Sequence, residues 1–223
     1  MARLPRLVLP GQPHLVLQRT LDHRPAFVDD EDRAQFMVAL RTTLETEAVQ
    51  LHAFALRDHE LLFLVTPAQP DALARLMQAI GRRYVTAYNR RHARSGPLWD
   101  GRFRTSAVEP GEHTLTAMTW IEQATPTPGI TSAPHHAGTQ PNPLITDPPE
   151  YWQLGNTPFE RESAWRERLA RGVAGTTEAR LRRLVLGGWA LGSPEFIRSA
   201  DATGRPAAPR RPGRPKRAAS NPR

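Results

Sequence analysis

A chain of 223 residues is long enough for one substantial core plus an appendage, and with no cysteine it has neither a disulfide framework nor a thiolate metal site. No apolar run is long enough to cross a bilayer and residues 1–6 lack the apolar core of a signal peptide, so a cytoplasmic protein with no membrane partner is expected. The net charge of +8 is unevenly placed: residues 205–223 sum to +7, residues 75–104 to +7 and the remainder to −6, and two basic islands on an acidic body point to a polyanion partner.

His14–Arg19 reads as a short strand. Asp29 or Asp30 caps a helix over 31–47, with Phe36, Leu40 and Leu44 four residues apart on one face. Leu51–Pro67 then reads as a hairpin turning at Arg57-Asp58-His59. Its first strand, Leu51–Leu56, alternates. Its second, Glu60–Thr66, is apolar on both faces and so belongs in the middle of a covered sheet. Asp71 opens a helix over 71–91 with Leu73, Leu76, Met77, Ile80, Tyr84 and Tyr88 on one stripe and Arg75, Arg82, Thr86, Asn89 and Arg90 opposite. Arg102–Val108 is a strand carrying Arg102, Arg104 and Ser106 on one face, and Glu112–Gln123 is a third helix.

The order β-α-β-β-α-β-α predicts an α+β fold, the ferredoxin-like split βαβ arrangement: an antiparallel sheet with helices on one face. The domain layout follows: residues 1–125 form the main domain, 126–150 a Pro-, Gly- and His-rich linker, 151–204 a small helical region, and 205–223 a disordered basic tail. His135 and His136 in the linker read as polar loop. Thr157-Pro158-Phe159-Glu160 is a capping box, and Ser193 caps a later helix after Gly187-Gly188 closes another; the grouping permits a helix-turn-helix-like unit.

The segments LPGQPHLVLQR (9–19), DDEDR (29–33), LHAFAL (51–56), LLFLVTP (61–67), LARLMQAIGRRYVTAYNRRHARSGPLWDGRFRTSAVE (73–109), GGWALGSPEF (187–196) and RPGRPKR (211–217) stand in family order. Together they resemble the bacterial REP-associated tyrosine transposases, within the insertion-sequence-200-like group of His-hydrophobic-His single-strand endonucleases. The resemblance implies DNA transposition chemistry. Two histidines on the central strand and a polar residue on the last helix hold Mg²⁺ or Mn²⁺. A tyrosine one turn before that polar residue attacks a DNA phosphodiester, leaving a 5′-phosphotyrosine and a free 3′-hydroxyl.

This chain departs from that pattern at each committed position. The two histidine positions are Glu60 and Leu62, the nucleophile position is Trp120, and the helix ligand position is Ala124. Trp lacks a hydroxyl, and Leu and Ala offer no donor atom to a cation. No catalytic residue, metal ligand or cofactor is therefore expected. An active alternative would use Glu60 and His59 for Mg²⁺ or Mn²⁺ and Tyr84 or Tyr88 as nucleophile.

The DNA-handling residues remain. Arg75, Arg82, Arg83, Arg90, Arg91, Arg94, Arg102 and Arg104 form the first island, with Trp99 either stacking on an unpaired base or anchoring the core. Arg210, Arg211, Arg214, Lys216 and Arg217 resemble an AT-hook, which lies in the narrow minor groove of A·T-rich duplex. The expectation is a nucleoid-associated DNA-binding pseudoenzyme for hairpin or single-stranded repeat DNA, with a homodimer left open. The alternatives are a working nickase and a decayed transposase remnant.

Overall fold

The protein is described by a computed structural model covering residues 5–123 and 129–209. Ala124 and the tail residues Arg210, Arg211, Arg214, Lys216 and Arg217 lie outside the described residues. Strands β1 (His14–Arg19), β2 (Val49–Arg57), β3 (Glu60–Pro67), β4 (Arg104–Ala107) and β5 (Gly129–Thr131) form one antiparallel sheet in the order β4-β1-β3-β2-β5. The four strands expected from the sequence are all present, and β5 extends the sheet beyond β2.

Helices α1 (Asp30–Leu44) and α2 (Ala72–Arg91) cover the same face, as the split βαβ order requires. Asp29 caps α1 by accepting from the Asp32 N–H at 3.0 Å, a contact of about 1 kcal/mol. The apolar stripe of α2 packs on Val16, Leu56, Leu61, Phe63 and Val65, with Phe36 and Leu40 of α1 between. Asp32, fully buried in the first turn of α1, accepts from Arg91 Nη1 at 2.6 Å and contacts His92 Nε2 at 2.9 Å, tying the end of α2 to the start of α1.

The opposite face is covered too. Helix α3 (Glu112–Glu122) lies there with α5 (Pro149–Trp152), α6 (Pro158–Arg171) and α7 (Gly175–Gly187), packing Met118, Trp120, Tyr151, Trp165, Leu181 and Val185 against Leu15, Leu17, Ala53, Ala55, Leu62 and Leu64. The C-terminal helices thus supply the second layer that makes β3 apolar on both sides. The capping box at Thr157 forms as expected. Helix α7 buries Leu181 and Val185 against the sheet, so it does not project as a recognition helix.

The hairpin departs from simple alternation. Leu51 pairs with Val65, yet Ala53 pairs with Leu64, so His52 is the extra residue of a β-bulge. Its ring contacts Thr146 O at 2.6 Å and Thr66 Oγ1 at 2.8 Å. The bulge lets Leu51 join Phe54 and Leu56 under α1 and α2 while Ala53 and Ala55 face α3.

The stretch read as a linker carries β5 and a one-turn helix α4 (Ala133–His136), and His136 is fully buried. Part of the stretch read as a free tail is packed: Ala207 is buried and its carbonyl accepts from the Ala190 N–H at 2.7 Å. Among the described residues no helix is long and apolar enough to cross a membrane.

Candidate nucleic-acid interface

The β3 side chains at Glu60 and Leu62 point to the α3 face, where Trp120 lies. Leu62 and Trp120 are both fully buried. Glu60 pairs across the hairpin with Arg57, whose Nη1 donates to Oε1 at 3.1 Å, while Arg57 Nη2 reaches the carbonyls of Trp120 and Ile121 at 3.3 Å each. From α7, Arg182 donates to both Glu60 oxygens at 2.9 and 3.0 Å, its guanidinium 5.5 Å from the Trp120 ring centroid. Burial alone would raise the Glu60 pKa, but the Arg182 and Arg57 guanidiniums hold it below its ordinary value. The carboxylate is therefore ionised, and its oxygens are taken.

A divalent cation does not fit these residues. Glu60 already sits between two fixed positive charges, its neighbour Leu62 has no donor atom, and Trp120 presents an indole with a buried, unpartnered Nε1–H. His59 is exposed on the turn and stacks edge-on to His23, away from the Glu60 face.

Tyr84 and Tyr88 lie in the core on the other side of the sheet. Tyr84 donates to Ala26 O, and burial raises its pKa far above the ordinary phenol value. Tyr88 donates to Pro25 O at 2.8 Å. Neither reaches the Glu60 face.

The first basic island divides. Arg91 is held by Asp29 and Asp32, Arg75 by Glu47 and Asp71, Arg83 by Thr43 Oγ1 at 3.4 Å, and Arg94 lies 5.6 Å above the Tyr88 ring. Trp99 is half-buried, packed against the α1/α2 core with its ring 6.4 Å from Tyr84, so it is an anchor. Arg82, Arg90, Arg102 and Arg104 are exposed and make no ion pair with the described residues.

A second polar cluster escaped the sequence reading. At the end of α3, buried Glu122 contacts His136 Nδ1 at 2.7 Å, accepts from the Ser132 hydroxyl and accepts from Trp165 Nε1 at 2.9 Å. Asp147 sits 3.4 Å from His136 Nε2 and 3.2 Å from His135 Nε2. One ligand atom from each of His135, His136 and Asp147 falls within 4.8 Å of the others, a spacing a cation could use. His135 Nδ1, however, accepts the Asn142 N–H at 2.9 Å, so neutral His135 carries its proton on Nε2, facing Asp147. His136 Nε2 is buried with no hydrogen-bond partner among the described residues, and through Glu122 the group joins α3, α4 and α6. Its only sequence signal is the His-His pair.

No protein-family model and no curated protein matches the chain. Among solved structures, a REP-associated tyrosine transposase bound to a REP hairpin superposes with a TM-score of 0.52, at 12% identity, over 67% of this chain and 93% of that one. The chain has the fold of a REP-associated tyrosine transposase. A candidate transposase from Deinococcus radiodurans R1 is 20% identical over 51% of this chain and 89% of its own, with a TM-score of 0.38, too loose a likeness to carry an argument. In this chain the central strand, α3 and the C-terminal helices surround the Glu60–Trp120 position described above.

Proposed function

We propose that this chain is a DNA-binding protein on a REP-associated tyrosine transposase scaffold that has lost the cleavage reaction, and that it binds hairpin or single-stranded repeat DNA. The observation that carries the loss is the Arg57–Glu60–Arg182 cluster beside buried Trp120 and Leu62. A cation site has become an internal ion pair, and the nucleophile position is packed indole. The binding reading is supported by the solved relative, which holds a REP hairpin, and by the unpaired Arg82, Arg90, Arg102 and Arg104. The basic tail adds phosphate attraction, with A·T-rich minor groove as its specific target, and the protein is nucleoid-associated in the cytoplasm.

The test is a gel-shift on hairpin, single-stranded and duplex DNA, run beside a cleavage assay with Mg²⁺ or Mn²⁺. The reading expects a shift with hairpin or single strand and no cleavage product. Cleavage abolished by Tyr84→Phe or Tyr88→Phe would replace it with the active alternative.

A further inference from the structure

A notch of about 70 Å³ opens where the N-terminal segment, β4 and the end of α7 meet. That is several times the space one water needs. Its lining includes Arg6, Arg102, Arg104 and Arg205, and none of the residues lining it is acidic. The guanidiniums of Arg102, Arg104 and Arg205, around a small cavity with no carboxylate among its described lining residues, repel one another, and an anion among them relieves that repulsion.

Two of the four arginines are fixed by the fold. Arg6 donates through Nε and Nη2 to Phe103 O at 3.3 Å and stacks 3.6 Å from the Phe103 ring centroid. Arg205 donates through Nη1 to Gly188 O at 2.6 Å. Gly188 has φ +68°, and a Cβ there would lie 2.8 Å from Arg205 Nη2, so glycine at this helix end also makes room for the guanidinium. Arg102 and Arg104 reach the notch from the solvent side.

One donor at the notch is left over: Arg205 Nε is buried without a partner among the described residues. Buried orphan donors are uncommon and mark a missing acceptor. Burial lowers the Arg205 pKa. Arg104 lies opposite Leu17, and Leu17 opposite Leu62, so the notch sits two strand spacings, ~10 Å, from the Glu60–Leu62 position on the same sheet face.

We propose that this notch is a subsite for one phosphate group of a bound nucleic acid, held by Arg102, Arg104 and Arg205. The inference rests on the DNA-binding reading and gives it a location. An internal phosphodiester and a 5′-terminal phosphate share this chemistry.

The full chain is titrated with inorganic phosphate by ³¹P NMR, and with one hairpin oligonucleotide carrying either a 5′-phosphate or a 5′-hydroxyl. Arg104→Gln and Arg102→Gln change solvent-exposed side chains and leave the fold intact. Both variants are expected to weaken phosphate binding, and Arg104→Gln to weaken hairpin binding about tenfold at low salt while reducing the salt slope by about one. Equal losses on the two hairpins assign an internal phosphodiester, and a loss confined to the phosphorylated hairpin assigns the terminal group. Hairpin binding unchanged in both variants overturns the notch while leaving the DNA-binding reading standing. Phosphate bound by the parent chain and lost in the variants, with no hairpin bound by either, keeps the notch as an anion site and removes the DNA-binding reading.

Discussion

At Trp120 a side chain without a hydroxyl fills the core beside Glu60. Its indole is fully buried among Leu62, Leu15 and Leu17, and Arg57 bonds its backbone carbonyl. Returning chemistry to this face therefore requires several changes at once, because residues that act as a catalytic unit are strongly non-additive. Trp120→Tyr alone, and Glu60→His with Leu62→His, are each expected to give no adduct with single-stranded DNA, read on a denaturing gel. Each is expected to lose about 1–4 kcal/mol of stability by urea titration, through the cavity or the buried imidazole. Only those three changes together with Ala124→Asn have the parts for cleavage.

Two histidines give the residue scale a second prediction, in pH. Burial lowers the His14 pKa to about 4, its Nδ1 contacting Gln12 O at 2.7 Å and its Nε2 accepting the Leu9 N–H at 3.0 Å. Its stabilisation is complete above an unfolded pKa of about 6.5 and is lost as pH falls toward 4. For His136, burial alone would lower the pKa, but Glu122 and Asp147 outweigh it and raise it to about 9. That stabilisation is complete below about 6.5 and is lost as pH rises through about 9. Melting temperature against pH should fall on both sides. His136→Gln should flatten the alkaline limb alone, and His14→Gln the acid limb between pH 6.5 and 4.

At the scale of elements, α7 is held to the hairpin by Leu181 and Val185 and by the Arg182–Glu60 pair. Arg182→Ala should raise amide exchange in α7 and at Glu60, and leave α1 and α2 unchanged, because those helices pack on the other face. Faster exchange throughout the molecule would mean the pair supports the whole core.

Much of this was legible in the sequence. Asp29, Thr157 and Ser193 were readable as caps because each side chain bonds an N–H within its own first turn. The doubly apolar β3 announced a covered strand, although what covers its second face, Trp165 and Leu181, comes from about 100 residues later, at a separation no local pattern carries. The His52 bulge was invisible for the same reason: its partners are Thr66 and Thr146. At the site, an acid at the start of β3 with apolar Leu62 beside it could be read from residue identity. Arg182, which neutralises Glu60, could not, since nothing in its own helix marks it. Trp99 was ambiguous in sequence because stacking and core packing use the same ring; one side of it packs beside Tyr84 while the residue stays half-buried.

Over the whole molecule, the arginines divide by their partners. Arg75 and Arg91 hold the fold through acidic partners, while Arg82, Arg90, Arg102 and Arg104 are exposed with no ion pair among the described residues. Counterion release then predicts a slope of log affinity against log salt of about −4 for hairpin DNA. A slope near zero would mean these arginines are not the contact surface. Deleting residues 210–223, which keeps Arg205 in place, should reduce affinity for A·T-rich duplex more than for single strands; equal losses would make the tail a general polycation.

The proposed binding without cleavage is tested most directly by incubating the full chain with end-labelled hairpin DNA and Mn²⁺, then splitting the sample between a native and a denaturing gel. A retarded, salt-sensitive complex is expected on the native gel and only intact, protein-free DNA on the denaturing gel. A shortened strand or a covalent protein–DNA band on the denaturing gel would contradict it.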